Sequence, residues 1–224
     1  MYHSYRHSSE WETEHYHVSG NPDTNEKQTA TRSEGARFAD RYLMYVSKVL
    51  GNIDRETIAT FADALLAARQ RQATIFFIGN GGSAATASHW VNDLTRWRGR
   101  PFRALSLTEN VAMLTAVAND HGYDHVFRWQ LENLMTPGDV VVAISASGNS
   151  PNLVEAVKYA RAHEGITVGL TGFDGGALRE LVEINIHVPT SVGEYGPTED
   201  AHLILDHLVT AYLWEACAAE GAGG

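Results

Sequence analysis

Histidine and carboxylate side chains recur at helical spacing in two stretches of the sequence. His89 and Asp93 are four residues apart, so they share one face of a helix. A second polar stripe near the end of the chain consists of Glu199, His202, Asp206 and His207. Two histidines with two carboxylates can bind zinc or a similar divalent ion. The spacing also fits a structural network of hydrogen bonds and ion pairs, because buried polar groups need partners.

A glycine-rich loop directly precedes the first of these helices. The apolar run 74–78 ends in GNGGS at 79–83, and a helical pattern follows. Glycines let the backbone approach an anion, and the free amides of the helix start then point at it. A tight strand-to-helix turn is the structural alternative. Neither GxGxxG nor GxxxxGKS occurs, so the loop does not predict a dinucleotide or nucleoside triphosphate site.

A second loop of this kind carries three serines. Ser145, Ser147 and Ser150 follow the apolar run 140–144 and precede Pro151, which fits the first turn of a helix. Serines also cap helices for structural reasons, and we expect one of the three to do so. Three within six residues exceed what capping requires. The loop therefore predicts a phosphate-binding cup.

The elements that position these loops alternate along the chain. Short apolar runs at 74–78, 102–107, 140–144, 166–170 and 184–188 are separated by helical segments. This pattern predicts an α/β fold with a doubly wound, five-stranded parallel sheet, which binds ligands at the carboxyl ends of its strands. Two amphipathic helices precede the sheet, and Asp54 can cap the second. They either pack within one subunit or form a docking surface.

Composition limits the class of protein and its partners. The chain has 224 residues, enough for one sizeable domain, and a formal net charge of −10, which disfavours binding to nucleic acid. No apolar run is long enough to predict a membrane span. The single cysteine, Cys217, excludes an internal disulfide, so a cytoplasmic location is expected. We predict a disordered leader at 1–35, whose four histidines can bind metal adventitiously, a domain at 36–217, and a flexible tail at 218–224.

Taken together, strand-GNGGS-helix and strand-SASGNS-helix resemble the sugar-isomerase (SIS) domain family. Within it, the chain is most similar to the phosphoheptose isomerases, which interconvert sedoheptulose 7-phosphate and a heptose 7-phosphate. The resemblance runs from about residue 37 to 214 and includes SLTEN at 106–110, TAVAND at 115–120 and LTGFDGG at 170–176. It implies a flavodoxin-like SIS fold and a homotetramer with sites at subunit interfaces.

The resemblance also assigns roles to individual residues. It implies that Asp93 and His207 are the catalytic acid–base pair. It implies a metal, zinc or another divalent ion, on His89, Asp93, Glu199 and His207. Substrate contacts are implied for Asn80, Gly81, Gly82, Ser83, Glu109, Asn110, Ser145, Ala146, Ser147, Ser150 and Glu199.

Three residues depart from the family pattern. Asp93 stands for a glutamate, Glu199 for a glutamine, and Asn110 for the aspartate of many members. Glu199 and His207 are also about 12 Å apart along a straight helix, at 1.5 Å per residue. Either the helix begins after Glu199, or ligands converge from different subunits.

Two other functions share these motifs. One is a non-catalytic sugar-phosphate sensor, or an adaptor of the replication-initiator-associating kind. That group lacks the second histidine, so His207 favours an enzyme. The other is an isomerase of a hexose or pentose phosphate, which the departures from the family pattern would fit.

Overall fold

The computed structural model describes residues 33–96 and 102–221. The chain divides into two compact units, Met1–Leu43 and Met44–Gly224. Helix α1 (Glu34–Gly51) begins in the first unit and ends in the second. Within the first unit the rings of Phe38 and Tyr42 stack, with centroids 6.4 Å apart. The predicted leader lies outside the described residues except for 33–35, so its disorder stays a prediction.

The second unit contains the sheet and the remaining helices. In chain order these are α2 (Arg55–Arg71), β1 (Thr74–Gly79), α3 (Gly82–Thr95), β2 (Arg103–Ser106), α4 (Val111–His121), a 3₁₀ turn (Tyr123–His125), α5 (Arg128–Leu134), β3 (Val140–Ser145), α6 (Pro151–Ala162), β4 (Ile166–Thr171), α7 (Gly176–Leu181), β5 (Ile184–His187) and α8 (Tyr195–Gly221). Helix α8 thus extends into the predicted tail. No helix in the described part of the chain has the length and apolar character needed to cross a bilayer.

All five strands are parallel, in the order β2-β1-β3-β4-β5. Strand β1 pairs with β2 on one side and β3 on the other, so that Phe77 is level with both Ser106 and Val142. The change of direction in strand order after β1 places the ends of β1 and β3 next to each other, and ligands bind at such a switch point. The predicted doubly wound sheet is confirmed, and each strand begins and ends within one residue of its apolar run.

Alternating side chains of each strand enter two separate cores, one on each face of the sheet. Ile75 and Phe77 of β1 face one core, which also contains buried residues of α2, α3 and α8. Phe76 and Ile78 face the other core, against α4, α5 and α6. Helices cover both faces of the sheet, which explains why the strand sequences are continuous apolar runs. Helices α3 and α8 therefore lie on the same face of the sheet.

The predicted capping of the second helix is confirmed. The Asp54 carboxylate accepts hydrogen bonds from the Glu56 amide at 3.0 Å and from the Thr57 hydroxyl at 2.7 Å. These bonds lower the pKa of Asp54, because they favour the ionised carboxylate. Helix α1 ends at Gly51, where the apolar spacing also ends.

Trp90 provides a test of how this face of the sheet is held together. Its ring is fully buried on α3 and packs edge-on against Phe61, 5.5 Å away, and against Phe77 at 5.4 Å. We expect Trp90→Ala to lower the free energy of unfolding by about 3–5 kcal/mol, because it leaves a large cavity. Trp90→Phe keeps an aromatic ring and should cost clearly less. Urea unfolding of the two variants checks this, and equal losses would contradict it.

Candidate active site

The GNGGS loop joins β1 to the start of α3. Gly81 has φ +54° and ψ −123°, a conformation that only glycine adopts readily, and no side chain caps this end of α3. The first amides of a helix have no partner within the helix, so they remain able to bind an anion. Ser83 is buried just inside the first turn. The four predicted contact residues 80–83 thus lie at one helix N-terminus.

The three serines of the second loop differ in their hydrogen bonds. The Ser145 hydroxyl is buried and accepts a hydrogen bond from the Gly148 amide at 3.1 Å, so it shapes the loop itself. Ser150 occupies the N-cap position of α6, but its side chain makes no capping hydrogen bond. The Ser147 hydroxyl accepts only a long contact from the Asn149 amide, at 3.4 Å. The hydroxyls of Ser147 and Ser150 therefore remain available for a ligand. A serine was expected to cap α6, and Ser150 occupies that position without capping through its side chain.

A reciprocal amide pair ties the two loops together. Asn80 donates to Asn152 Oδ1 at 3.0 Å, and Asn152 donates to Asn80 Oδ1 at 2.9 Å. The Tyr123 hydroxyl also donates to Asn80 Oδ1, at 2.9 Å. The Asn80 amide thus bonds across to α6 and to the 3₁₀ turn. This pairing fixes the N-termini of α3 and α6 relative to each other.

The end of β2 supplies the other predicted substrate contacts. Asn110 caps α4 by accepting a hydrogen bond from the Met113 amide at 3.1 Å, and Glu109 beside it is exposed. Near them the hydroxyls of Ser88, Ser106 and Thr108 form a chain with separations of 2.6–3.4 Å. Ala146 lies within the serine loop, where its carbonyl accepts from the Gly172 amide at 2.9 Å.

Helices α3 and α8 pack side by side and run in the same direction. At their N-terminal ends the Glu199 carboxylate lies so close to Gly82 that a Cβ atom there would collide with it. About two turns further along, His89 and His207 meet. Burial raises the pKa of Glu199, with the charge of Asp200 as a smaller cause.

The meeting point of the two helices is a cluster of four potential ligands. It consists of His89, Asp93, Asp206 and His207, each offering one atom within 4.8 Å of the others. The Nε2 atoms of His89 and His207 are 3.0 Å apart. Asp93 Oδ2 lies 3.5 Å from His89 Nε2 and 4.0 Å from His207 Nε2. All four residues belong to one chain, so His89 and His207 meet without a second subunit.

The two carboxylates of the cluster are buried, whereas the two imidazoles are exposed. Asp206 is fully buried and Asp93 is 8% exposed. Burial raises the pKa of Asp206 to about 7, and the neighbouring charge of Asp93 adds to the effect. Thr210 donates to Asp206 Oδ1 at 3.3 Å, while Oδ2 has no hydrogen-bond partner among the described residues. A cation in the cluster would favour the ionised form of this carboxylate.

The donor set fits a divalent metal. Zinc binds nitrogen and oxygen at about 2.0–2.2 Å, so tetrahedral ligand atoms lie about 3.4 Å apart. The three separations of 3.0, 3.5 and 4.0 Å among His89, Asp93 and His207 bracket that value. The buried Asp206 oxygen without a partner points to the same conclusion, since such an atom is costly unless it binds something.

Glu199 does not join this cluster within the chain. Helix α8 begins at Tyr195, so the alternative that the helix starts after Glu199 is wrong. Its carboxylate stays beside Gly82, about two turns from His207. A role for Glu199 in binding metal from a neighbouring subunit stays a prediction.

Several residues of the site were not predicted as part of it. Asp206 stood in the polar stripe of α8, but nothing in the sequence separated it from its neighbours. Asn152 and Tyr123 carried no signal at all. His202, from the same stripe, is fully buried and its ring nitrogens meet no hydrogen-bond partner among the described residues; burial lowers its pKa to about 4, so the ring is neutral.

Comparison with known proteins agrees with this arrangement. The family described as SIS domain matches residues 41–172. A phosphoheptose isomerase of Geobacter metallireducens is 39% identical over 168 residues, which cover 72% of this chain and 88% of that protein. A probable phosphoheptose isomerase of Thermoplasma acidophilum is 36% identical over 180 residues, covering 79% of this chain and 98% of the relative.

A solved structure shows the same fold. Phosphoheptose isomerase from Neisseria gonorrhoeae superposes with a TM-score of 0.70 at 32% identity, covering 86% of this chain and all of the other. This chain thus resembles a phosphoheptose isomerase both in fold and in sequence, over most of its length. The chain belongs to the SIS domain family, and the relatives it matches within that family are phosphoheptose isomerases.

Proposed function

We propose that this protein is an aldose–ketose isomerase that converts sedoheptulose 7-phosphate to D-glycero-D-manno-heptose 7-phosphate. The observation that carries the proposal is the cluster of His89, Asp93, Asp206 and His207, of which the first two lie on the helix that begins at the GNGGS loop. One helix thus connects an anion-binding N-terminus to groups that can transfer protons. The phosphoheptose isomerase relatives support this substrate class.

In this proposal the two loops at the switch point bind the phosphate group of the sugar. The net charge of −10 gives no general attraction for an anion, so binding depends on local donors. The hydroxyls of Ser147 and Ser150 and the N-termini of α3 and α6 supply them. The Asn80–Asn152 pair holds these donors in place before the ligand arrives, which reduces the entropy lost on binding.

The chemistry is a proton transfer between two neighbouring carbons. A base removes a proton from carbon 1 of the ketose while the carbonyl oxygen on carbon 2 gains one, which gives an enediol. The hydroxyl on carbon 1 then loses its proton and carbon 2 receives one, so the aldose forms with no net change in atoms. Asp93 and His207 are the proposed acid–base pair, and their side chains lie 4.0 Å apart.

A divalent metal fits beside this pair. His89, Asp93 and His207 are the members of the proposed ligand set that the chain itself brings together. When bound, zinc or a similar ion would polarise the sugar carbonyl and stabilise negative charge on its oxygen. The two loops and the hydroxyls of Ser88, Ser106 and Thr108 would orient the sugar.

Assembly into a homotetramer is part of the proposal. One face of α8 exposes large apolar side chains, namely Leu203, Ile204, Leu208 and Tyr212, each 38–48% exposed. The His207 side chain lies on the same face and is 57% exposed. A second copy packed on this face would bury the apolar residues and cover the active site.

The phosphate cup is tested by Ser147→Ala combined with Ser150→Ala. We expect sedoheptulose 7-phosphate to bind about 10- to 100-fold more weakly for each lost hydroxyl, because charge-assisted hydrogen bonds contribute about 1.5–3 kcal/mol each. Titration calorimetry measures the change. Thr60→Ala, which removes an exposed hydroxyl on α2, is the matched control. Unchanged affinity would place the phosphate elsewhere.

The proton-transfer role is tested by His207→Ala. We expect kcat to fall by about 10²–10⁴-fold, because an acid–base group is lost, while the affinity for the phosphosugar changes little. Formation of the aldose can be followed by NMR, with zinc added and with a chelator. His163→Ala removes an exposed histidine of similar exposure far from the cluster and should leave kcat unchanged. Full activity of His207→Ala would contradict the assignment.

The assembly is tested by Leu208→Asp. A charge in the centre of the apolar face of α8 should oppose packing of a second copy, so light scattering should report a smaller particle. Activity should fall with it. Leu134→Asp changes a similarly exposed leucine on α5 and serves as the control. A wild-type monomer that isomerises the sugar would refute the need for assembly.

A further inference from the structure

We propose that Gln130 of α5 is a positioning residue for the active site. It holds the loop 106–110, which follows β2, from the face of the sheet opposite α3 and α8. The inference rests on the proposed function only for the expectation that this loop contacts the sugar. None of the sequence motifs that predicted the site includes Gln130.

The side-chain amide of Gln130 is buried and bonds to two backbone carbonyls. Nε2 donates to the Val126 carbonyl at 2.9 Å, one helical turn back, and to the Leu107 carbonyl at 3.0 Å, 23 residues away in the chain. Gln130 is only 5% exposed. A buried amide is costly unless it is hydrogen-bonded, so an apolar side chain would serve better if filling the core were the only role of this position.

The Leu107 carbonyl lies where the pairing of β2 with the sheet ends. In the described part of the chain β2 is an edge strand beside β1, and its register ends with Ser106 level with Phe77. One further backbone bond follows, from the Leu107 amide to the Phe77 carbonyl at 3.0 Å. Gln130 then binds the carbonyl of the same residue. The peptide groups on both sides of Leu107 are therefore fixed.

The alternation of side chains transmits this contact to the active site. Leu107 points into the core that contains α5, whereas Ala104 lies in the core that contains α3. Side chains alternate along a strand, so Ser106 shares the side of Ala104. The hydroxyls of Ser106 and Thr108 lie 3.4 and 3.1 Å from that of Ser88 on α3. Fixing Leu107 thus fixes the direction of two hydroxyls that we expect to orient the sugar.

The first test measures the loop directly, in full-length Gln130→Met and Val157→Ala. Gln130→Met keeps the side-chain length and removes the donor, whereas Val157→Ala removes buried methyl groups from α6 in the same core. Amide hydrogen exchange is followed by mass spectrometry. In Gln130→Met we expect exchange across 106–113 to rise about 2- to 10-fold relative to 140–145, because one hydrogen bond to the loop is lost. Val157→Ala should leave this ratio unchanged.

The second test measures binding and turnover. Calorimetry with sedoheptulose 7-phosphate and with inorganic phosphate separates the sugar contacts from the phosphate contacts. We expect Gln130→Met to lower kcat/KM for sedoheptulose 7-phosphate by about 10- to 100-fold, because a small displacement of positioning groups slows a reaction by that order. Its affinity for inorganic phosphate should stay at the wild-type value. Val157→Ala should match wild type in both, per folded molecule.

Three outcomes would overturn the proposal. They are unchanged exchange across 106–113, an equal rise across 106–113 and 140–145, which would indicate a structural role alone, and wild-type turnover by Gln130→Met despite a loosened loop. Gln130→Leu repeats the measurements if Gln130→Met does not fold. If wild-type protein neither binds nor converts sedoheptulose 7-phosphate, the proposed function is refuted, and hydrogen exchange alone decides whether Gln130 holds the loop.

Discussion

The packing of α3 against α8 is the contact on which the rest of the site depends. Buried apolar residues join the two helices on one face of the sheet, including Trp90 and Leu94 of α3 and Leu205 and Val209 of α8. Because α3 starts at the switch point of the sheet, its N-terminus lies beside the serine loop that follows β3. Because α8 runs in the same direction beside it, the imidazoles of His89 and His207 meet about two turns further on. One apolar contact thus sets the distance between the proposed phosphate-binding loop and the proposed acid–base pair.

The acidic character of the chain is consistent with an anionic ligand once the donors are considered individually. Both loops present helix N-termini, and neither relies on a lysine or arginine. Backbone amides and hydroxyls are neutral, so they avoid the desolvation cost of burying a cation when no ligand is bound. The amide pair of Asn80, which follows β1, and Asn152 on α6 adds rigidity without charge.

Most of the fold could be predicted from the sequence, because buried parallel strands are apolar on both faces. The run at 74–78 became β1 with one added residue, and Asp54 caps α2 through its side chain as its position indicated. His89 and Asp93 were found because four-residue spacing on a helix brings side chains together. Pairing between helices distant in sequence carries no such local signal. The sequence therefore could not show that Asp206 turns inward beside Asp93.

Glu199 shows how far a single chain can test a role that is assigned by resemblance. Its position in the family pattern predicts a metal ligand; within one chain α8 is already helical there and the side chain lies beside Gly82, so this role stays a prediction. A carboxylate in place of a glutamine changes the charge next to the GNGGS loop, and burial raises the pKa of this carboxylate.

The cluster has an inner and an outer half, and this division suggests how its functions are separated. Asp93 and Asp206 lie on the buried side, whereas His89 and His207 are exposed to solvent. Buried carboxylates hold a cation firmly because they cannot be solvated by water instead. The exposed imidazoles stay accessible from solvent. A cation bound in the cluster would thus have the negative charges of the carboxylates on its buried side and the two imidazoles on its solvent side.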